Sequence, residues 1–141
     1  MNEEEHKRIT REFIEGLNNK DRSAMVRLID EDYTFHNFQG TFKGADEFYD
    51  NLQVMFDAFP DLNIHVEDQV ADDTKVVNRV RLTGTHKGEF AGVPATDKHI
   101  DASAMAMYRF KDDKISELWA IWDIMSMVTQ MGARPMRSQD C

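Results

Sequence analysis

The sequence predicts an α+β domain in which N-terminal helices cover one face of a strongly curved, mostly antiparallel sheet. Apolar residues recur at helical spacing early in the chain, as Ile9, Phe13 and Leu17 illustrate. From Leu62 onward the period changes to two, which is typical of strands with one buried face. Because the helices come first and the strands follow, the order favours α+β over an alternating βαβ arrangement.

The first half of the chain predicts three helices and one strand. Residues 3–18 form an amphipathic helix that the polar run 18–21 ends. Asp21 then caps a second short helix that stops near residues 30–32, and residues 33–38 read as a strand. Gly40 and Gly44 bracket a turn before an apolar stripe over residues 45–59, which Pro60 ends.

The second half predicts strands and one final helix. Strands are expected at residues 62–67, 75–85, 98–110 and 115–121, with turns at 72–73 and 111–114. Ile124, Met125 and Val128 then have helical spacing, and residues 133–141 read as a loose terminus. A length of 141 residues fits one domain, which we place at residues 1–132.

Charge and composition narrow the possible partners. The sequence contains 17 Lys and Arg and 26 Asp and Glu. The resulting net charge of −9 argues against nucleic acid or an anionic membrane as a partner. No apolar run approaches the roughly 18 residues of a membrane span, and the N-terminus has no apolar signal core, so we expect a soluble, cytoplasmic protein. The one cysteine, Cys141, excludes an internal disulfide and is expected to be an exposed thiol.

Asp123 is the first candidate for chemistry, because it ends an apolar, aromatic-rich strand. Ile115, Trp119, Ile121 and Asp123 have the same parity, so an inward Trp119 predicts an inward Asp123. A carboxylate among indole and aliphatic groups loses hydration, which raises its pKa and allows proton exchange near neutral pH. The alternative is that Asp123 caps the helix that follows it.

The long predicted strand offers a candidate pocket wall. One face carries alanines, and the other carries Ser103, Met105 and Met107, which can line an adaptable apolar cavity with one hydroxyl. Either face can equally be ordinary core, and the period does not choose between them. We include Trp119 in the predicted substrate pocket, together with the phenylalanines of the helical stripe, Phe56 and Phe59. Trp122 has the opposite parity and is expected to face a dimer partner or a helix.

Two histidines and an arginine complete the candidate site. His36 lies within a predicted strand and can transfer protons or donate to a carbonyl, or it is simply half-buried. His86 follows Gly84-Thr85 at a strand end, where it either acts in the site or stabilises a turn. Arg79 can anchor an anionic substrate group, although a solvated or salt-bridged side chain is the simpler interpretation.

The sequence predicts neither a metal nor a cofactor. The five histidines are scattered, without the i, i+4 pair that binds zinc on a helix. Gly84, Gly88 and Gly92 do not follow the strand-to-helix pattern of a nucleotide site.

The chain resembles the SnoaL-like polyketide cyclase family. The resemblance is carried by the run GTHKGEFAGVPAT at residues 84–96, by Lys114-Ile115 and by Trp119 with Asp123. The segments AFPD at 58–61 and QMG at 130–132 also look like family segments. The likeness extends from the first helix to Gly132.

The resemblance implies the cone-shaped α+β barrel of the nuclear transport factor 2-like superfamily, whose domains commonly form homodimers through their sheets. It also implies that Asp123 acts as general acid/base in an intramolecular aldol ring closure, with no metal and no Schiff base. Family cyclases use a histidine on the preceding long strand as well. This chain departs from that pattern, because its central positions there are Ser103, Met105, Met107 and Arg109.

Three functions remain open from the sequence. The first is a cofactor-independent acid/base enzyme, a cyclase or isomerase, that acts on a small apolar carbonyl compound in an internal pocket. The second is a non-catalytic protein that binds such a molecule. The third is a dimeric protein-interaction module.

Overall fold

The computed structural model describes residues 3–132, which form four helices and six strands. In chain order the elements are α1 (Glu3–Asn18), α2 (Arg22–Val26), β1 (Ile29–Asn37), β2 (Gly40–Lys43), α3 (Gly44–Ala58), β3 (Asn63–Ala71), β4 (Lys75–Thr85), β5 (His99–Lys111), β6 (Lys114–Trp122) and α4 (Ile124–Gln130). The terminus predicted at residues 133–141, including Cys141, lies outside the described residues.

The six strands form one curved sheet in the order β2-β1-β6-β5-β4-β3. All neighbours are antiparallel except β1 and β6, which pair in parallel. The sheet is not closed, because its edge strands are β2 and β3. The helices cover its inner face, so the predicted α+β class is confirmed.

The two long helices place an aromatic cluster against that inner face. Three glutamates in the first turn of α1 stabilise the helix, because their negative charges lie beside the positive end of its dipole. Phe13 lies on the buried side of α1. The Phe13 ring lies 5.7 Å from Phe48 of α3 and 6.1 Å from Tyr108 of β5. The core therefore lies between α1, α3 and the inner face of the sheet.

Strand β5 alternates strictly between the two faces. Ala102, Ala104, Ala106 and Tyr108 are buried, and the odd-numbered residues between them are exposed or half-buried. The alanine face, with little side-chain bulk, therefore points toward the helices. The structure therefore shows that the face with Ser103, Met105 and Met107, which the sequence period could not assign, is the outer face of β5.

Strand β6 changes parity along its length. Ile115 pairs with Phe110, whereas Glu117 pairs with Arg109, so one extra residue, Ser116, is accommodated by a bulge. Ile115 and Leu118 are consequently both buried although they differ in parity.

Two boundaries near the N-terminus differ from the prediction. Helix α2 ends at Val26, and β1 begins at Ile29, four residues earlier than expected. The segment predicted as a turn is the short edge strand β2, in which Phe42 pairs with Phe35. Gly40, with φ of 142°, supplies a conformation that other residues rarely adopt where the chain reverses.

Candidate functional site

An enclosed cavity of about 60 Å³ lies between the helices and the inner face of the sheet. Its apolar wall comes from helices α1 and α3 and from five strands, β1, β3, β4, β5 and β6. The residues that form it include Phe13, Ile14, Leu17, Phe35, Phe48, Leu52, Met55, Ile64, Val80, Ala104, Ala106, Leu118, Ala120 and Trp122. The space is apolar and lies inside the fold, so it is the first candidate for a ligand site.

Two carboxamides interrupt the apolar wall. Asn37 ends β1 and Asn51 lies on the buried side of α3, and both border the cavity. Asn37 donates from Nδ2 to Asn51 Oδ1 at 2.8 Å, and Asn51 donates from Nδ2 to Gln39 Oε1 at 2.7 Å. The Gln39 backbone N–H donates to Asn37 Oδ1 at 2.8 Å. A carboxamide has two N–H donors, and these bonds use one on each asparagine, which leaves one on each for a ligand.

A phenol supplies the third polar group of the wall. Tyr108 lines the cavity and is 3% exposed. Burial raises the pKa of Tyr108 well above its ordinary value of 10.0, and the Asn78 side chain offsets only part of that rise. The hydroxyl is therefore protonated and can donate a hydrogen bond.

Among the described residues that line the cavity, none carries a carboxylate, an imidazole or a cationic group. The cavity can therefore hold an apolar molecule and orient its oxygen atoms. Proton abstraction by a side chain of the wall is not available at neutral pH, because the phenol of Tyr108 is held protonated.

Asp123 lies outside this cavity. Its side chain is exposed and caps α4, with Oδ1 accepting from the Ser126 backbone N–H at 3.0 Å. The prediction that Asp123 points inward and is poorly hydrated is wrong, and the capping alternative describes the structure. A catalytic role for the exposed carboxylate stays a prediction.

The bulge at Ser116 explains this error. The parity argument treated Ile115 and Trp119 as facing the same side, but the extra residue between them reverses the alternation. Trp122 therefore lines the cavity, while Trp119 and Ile121 lie on the outer face of the sheet. The placement of Trp119 in an internal pocket is wrong for the same reason.

His36 belongs to a polar cluster on that outer face. Its Nε2 lies 2.5 Å from Glu117 Oε2 and its Nδ1 lies 3.0 Å from Thr41 Oγ1. The ring stacks on Trp119 with centroids 5.4 Å apart, and Arg109 pairs with the same Glu117. The cluster joins β1, β6 and β5 from outside, and His36 is not among the residues that line the cavity.

His86 is fully buried but also lies apart from the cavity. Its Nδ1 lies 2.9 Å from Thr96 Oγ1, and its carbonyl accepts from the backbone N–H groups of Thr96 and Asp97. The ring packs at 5.7 Å from Phe59. These contacts fix the loop between β4 and β5 and favour the turn-stabilising alternative.

The remaining predicted binding residues lie in two places. Ser103, Met107 and Arg79 are on the outer face, and so is the side chain of Met105, which is 51% exposed although the residue also borders the cavity. Phe56 and Phe59 are buried core residues that do not line the cavity. The structure thus brings two of the predicted side chains, His36 and Trp119, together on the outer face, and it does not gather the predicted set in the internal cavity.

Sequence reasoning missed the carboxamides, although one carried a signal. Asn51 falls between Phe48, Leu52 and Met55 on the apolar stripe of α3, where a polar residue needs a buried partner. Asn37 shares the parity of Phe35, which faces inward.

A second, open groove lies on the outer face beside the ends of β1 and β6. It has a volume of about 290 Å³ and is lined by residues that include His36, Phe38, Trp119 and Ile121. Asn37, Ala120 and Trp122 border both this groove and the internal cavity. The pairing of β1 with β6 ends at His36 and Trp119, so the two strands separate where these shared residues lie.

The sequence pattern of the SnoaL-like polyketide cyclases matches residues 7–131. The chain belongs to this family. The predicted resemblance is therefore confirmed. No curated protein matches the chain.

Several solved structures share the fold of this chain. The chain is similar to AclR of Streptomyces galilaeus, a proposed hydroxylase, with 25% identity, a TM-score of 0.82 and coverage of 95% of this chain and 100% of that one. IdmH of Streptomyces antibioticus, a proposed polyketide cyclase, has 26% identity, a TM-score of 0.80 and coverage of 91% and 99%. A SnoaL-like polyketide cyclase of Agrobacterium tumefaciens has 23% identity, a TM-score of 0.80 and coverage of 94% and 100%.

Within residues 3–132, no helix combines the length and the apolar character that crossing a bilayer requires. No group of three or more His, Cys, Asp or Glu side chains in the range is placed to hold a metal ion.

Proposed function

We propose that the protein has a cyclase-type function and holds a small apolar carbonyl compound in the internal cavity. The observation that carries the proposal is the composition of the wall, which is apolar except for Asn37, Asn51 and Tyr108. Such a wall excludes water and orients a ligand through a few hydrogen bonds. Family membership supports the cyclase type.

The free amide N–H groups give the cavity its chemical use. An N–H donated to a carbonyl oxygen polarises the carbon for attack and stabilises the alkoxide that forms, most strongly in a low-dielectric site. The apolar wall holds a flexible substrate folded, which brings the two reacting carbons together. Both effects favour an intramolecular aldol closure.

The closure also needs a base, for which Asp123 remains the proposed residue. It directly follows Trp122, which lines the cavity, and only its Oδ1 takes part in the described capping bond. A non-catalytic binding protein is the second candidate. It is favoured by the observation that the described side chains of the wall include no carboxylate or imidazole.

Binding requires the cavity to enlarge. An engineered apolar cavity of about 150 Å³ binds benzene, whereas this cavity has about 60 Å³. Met55 is an unbranched side chain that repacks easily, and Trp122 lies where β1 and β6 separate. We propose that these two side chains move when a ligand enters.

The test is a panel of polyaromatic ketones and esters, assayed for binding by calorimetry and for turnover by mass spectrometry. The variant Ala106→Val narrows the cavity and should abolish binding, whereas Ser103→Val adds similar bulk on the outer face and should not. Binding that Ala106→Val leaves unchanged would place the ligand elsewhere. Turnover that is lost in Asp123→Asn while binding persists supports the enzyme, and binding of the whole panel without reaction supports the second candidate.

We also propose that the outer face of the sheet pairs with a second copy of the chain. Met105 and Ile121 lie opposite each other there and are 51% and 73% exposed. Met107 and Trp119 pair beside them, and Val70 at the edge is 62% exposed. A contiguous apolar patch of this kind is typical of an interaction surface, and homodimers through the sheet are what the family resemblance implies.

A further inference from the structure

The hydroxyl of Tyr33 is a buried donor without a partner. Tyr33 lies on the inner face of β1 and has no exposed surface. Its ring packs edge-on against Phe48, which lines the cavity, with centroids 5.3 Å apart. No hydrogen bond from a described residue reaches the Tyr33 hydroxyl. A buried hydroxyl in this state costs free energy, which calls for an explanation such as an absent ligand.

A second phenol lies nearby, at the cavity wall. Tyr108 contributes electrostatically to the upward shift of the Tyr33 pKa, after burial, which is the larger cause. Burial also keeps Tyr108 protonated. Both phenols are therefore hydrogen-bond donors at neutral pH, and they face the same interior from β1 and β5.

Tyr33 lies at the opposite end of the inner face of β1 from the carboxamide of Asn37. Tyr108 lies between these two levels, because it and Phe35 both pair with Leu118. Tyr33, Phe35 and Asn37 share the inner face of β1. At about 3.3 Å per residue, the four-residue step from Tyr33 to Asn37 spans about 13 Å. Phe35 and Phe48 lie between the two ends and offer apolar contacts only. The interior is thus polar at both ends and aromatic in the middle.

We propose, on the basis of the function proposed above, that the ligand is an elongated apolar molecule with an oxygen atom at each end. One oxygen accepts from Asn37 or Asn51, and the other accepts from the hydroxyls of Tyr108 and Tyr33. The substrate class is therefore a compound oxygenated at two distant positions. Tyr33 and Tyr108 are its specificity-determining residues.

The alternative occupant of the inner end is a single buried water. A water would satisfy the Tyr33 hydroxyl in the free protein. It would give no preference for a ligand with a second oxygen, because the ligand would not reach the phenols.

Calorimetric titration with a matched pair of probes, 2-naphthol and 2,6-dihydroxynaphthalene, tests the proposal. The wild-type protein should bind the two-oxygen probe about five- to hundredfold more tightly, the gain expected from two further hydrogen bonds. Tyr33→Phe and Tyr108→Phe should each reduce that preference. Tyr49→Phe, a matched change on α3 at a residue that does not line the cavity, should retain it.

The unfolding midpoint of Tyr33→Phe distinguishes a role of Tyr33 in ligand recognition from a role in stabilising the fold. Tyr33→Phe removes an unpaired buried hydroxyl, so its unfolding midpoint should equal or exceed that of the wild type while the preference for two oxygens falls. Equal affinity of the wild type for both probes, or a preference that Tyr33→Phe leaves intact, overturns the inference and leaves the cavity proposal standing. Failure of both probes to bind overturns the cavity proposal together with the inference.

Discussion

Asn37 Nδ2 donates to Asn51 Oδ1 over 2.8 Å where both side chains border the internal cavity. This bond ties the end of β1 to the middle of α3. It also leaves each carboxamide with a free N–H, so the same pair can support the fold and meet a ligand.

Replacing Asn51 with leucine should destabilise the protein by about 1–3 kcal/mol, because Asn37 Nδ2 loses its acceptor. Asn37 is half-buried, so water replaces only part of this loss, whereas Gln39 is exposed and its Oε1 can accept from water instead. Urea-induced unfolding measures the effect. The double variant Asn37→Leu/Asn51→Leu should cost less than the sum of the single changes, since it removes both partners. Strict additivity would show that the two amides act independently.

Helix α4 should depend on the carboxylate of Asp123. Asp123→Ala removes the acceptor for the Ser126 N–H and should cost about 0.5–2 kcal/mol, whereas Asp123→Asn keeps a capping oxygen and should cost much less. Thermal unfolding followed by circular dichroism measures both. Asp21→Ala and Asp21→Asn, at the equivalent cap of α2, form a matched pair. A stable Asp123→Asn protein is also what makes that variant a clean test of catalysis.

Much of the fold could be predicted from local patterns, because helical and strand periods are properties of neighbouring residues. The helix at Glu3–Asn18 and the long strands β4 and β5 agree with the prediction to within a residue or two. The face occupied by Trp119 could not be predicted, since the bulge at Ser116 reverses the alternation of faces along β6. That bulge arises from the pairing of β6 with β5, which is not a property of neighbouring residues.

The site was less predictable than the fold for a related reason. The exposed carboxylate of Asp123 follows from the reversed parity of β6 and from the start of α4. The carboxamides of Asn37 and Asn51 meet only because β1 and α3 pack together, and 14 residues separate them in the chain. No single segment contains that information.

Asp61 should make stability depend on pH in the acid range. Burial alone would raise its pKa, but hydrogen bonds from the backbone N–H and hydroxyl of Thr85 outweigh burial and hold the pKa below the ordinary value of 3.8. A depressed pKa in the folded state contributes stability that is fully present above pH 3.8 and is lost as the pH falls through the folded-state pKa. The stability difference between wild type and Asp61→Asn should therefore be constant from about pH 5 to 7 and shrink below pH 3.8.

Urea unfolding at a series of pH values checks this expectation. Thr85→Val removes the hydroxyl that donates to Asp61 Oδ2 and should weaken the trend. A difference for Asp61→Asn that grows as the pH falls would contradict the hydrogen-bond explanation.

Dimerisation should depend on the apolar outer face of the sheet. In a twofold interface the same patch lies on both copies, so Ile121→Glu introduces a like charge from each side and removes apolar contact. Ile121 is 73% exposed in the single chain, so the substitution should leave the unfolding free energy of the monomer within about 0.5 kcal/mol of the wild type. The dimer dissociation constant should rise at least about tenfold.

Sedimentation equilibrium measures the dissociation constant. The matched control is Val26→Glu on α2, where the side chain is 41% exposed. If Val26→Glu dissociates the dimer and Ile121→Glu does not, the copies meet through the helices, and the patch around Met105 and Ile121 needs another partner.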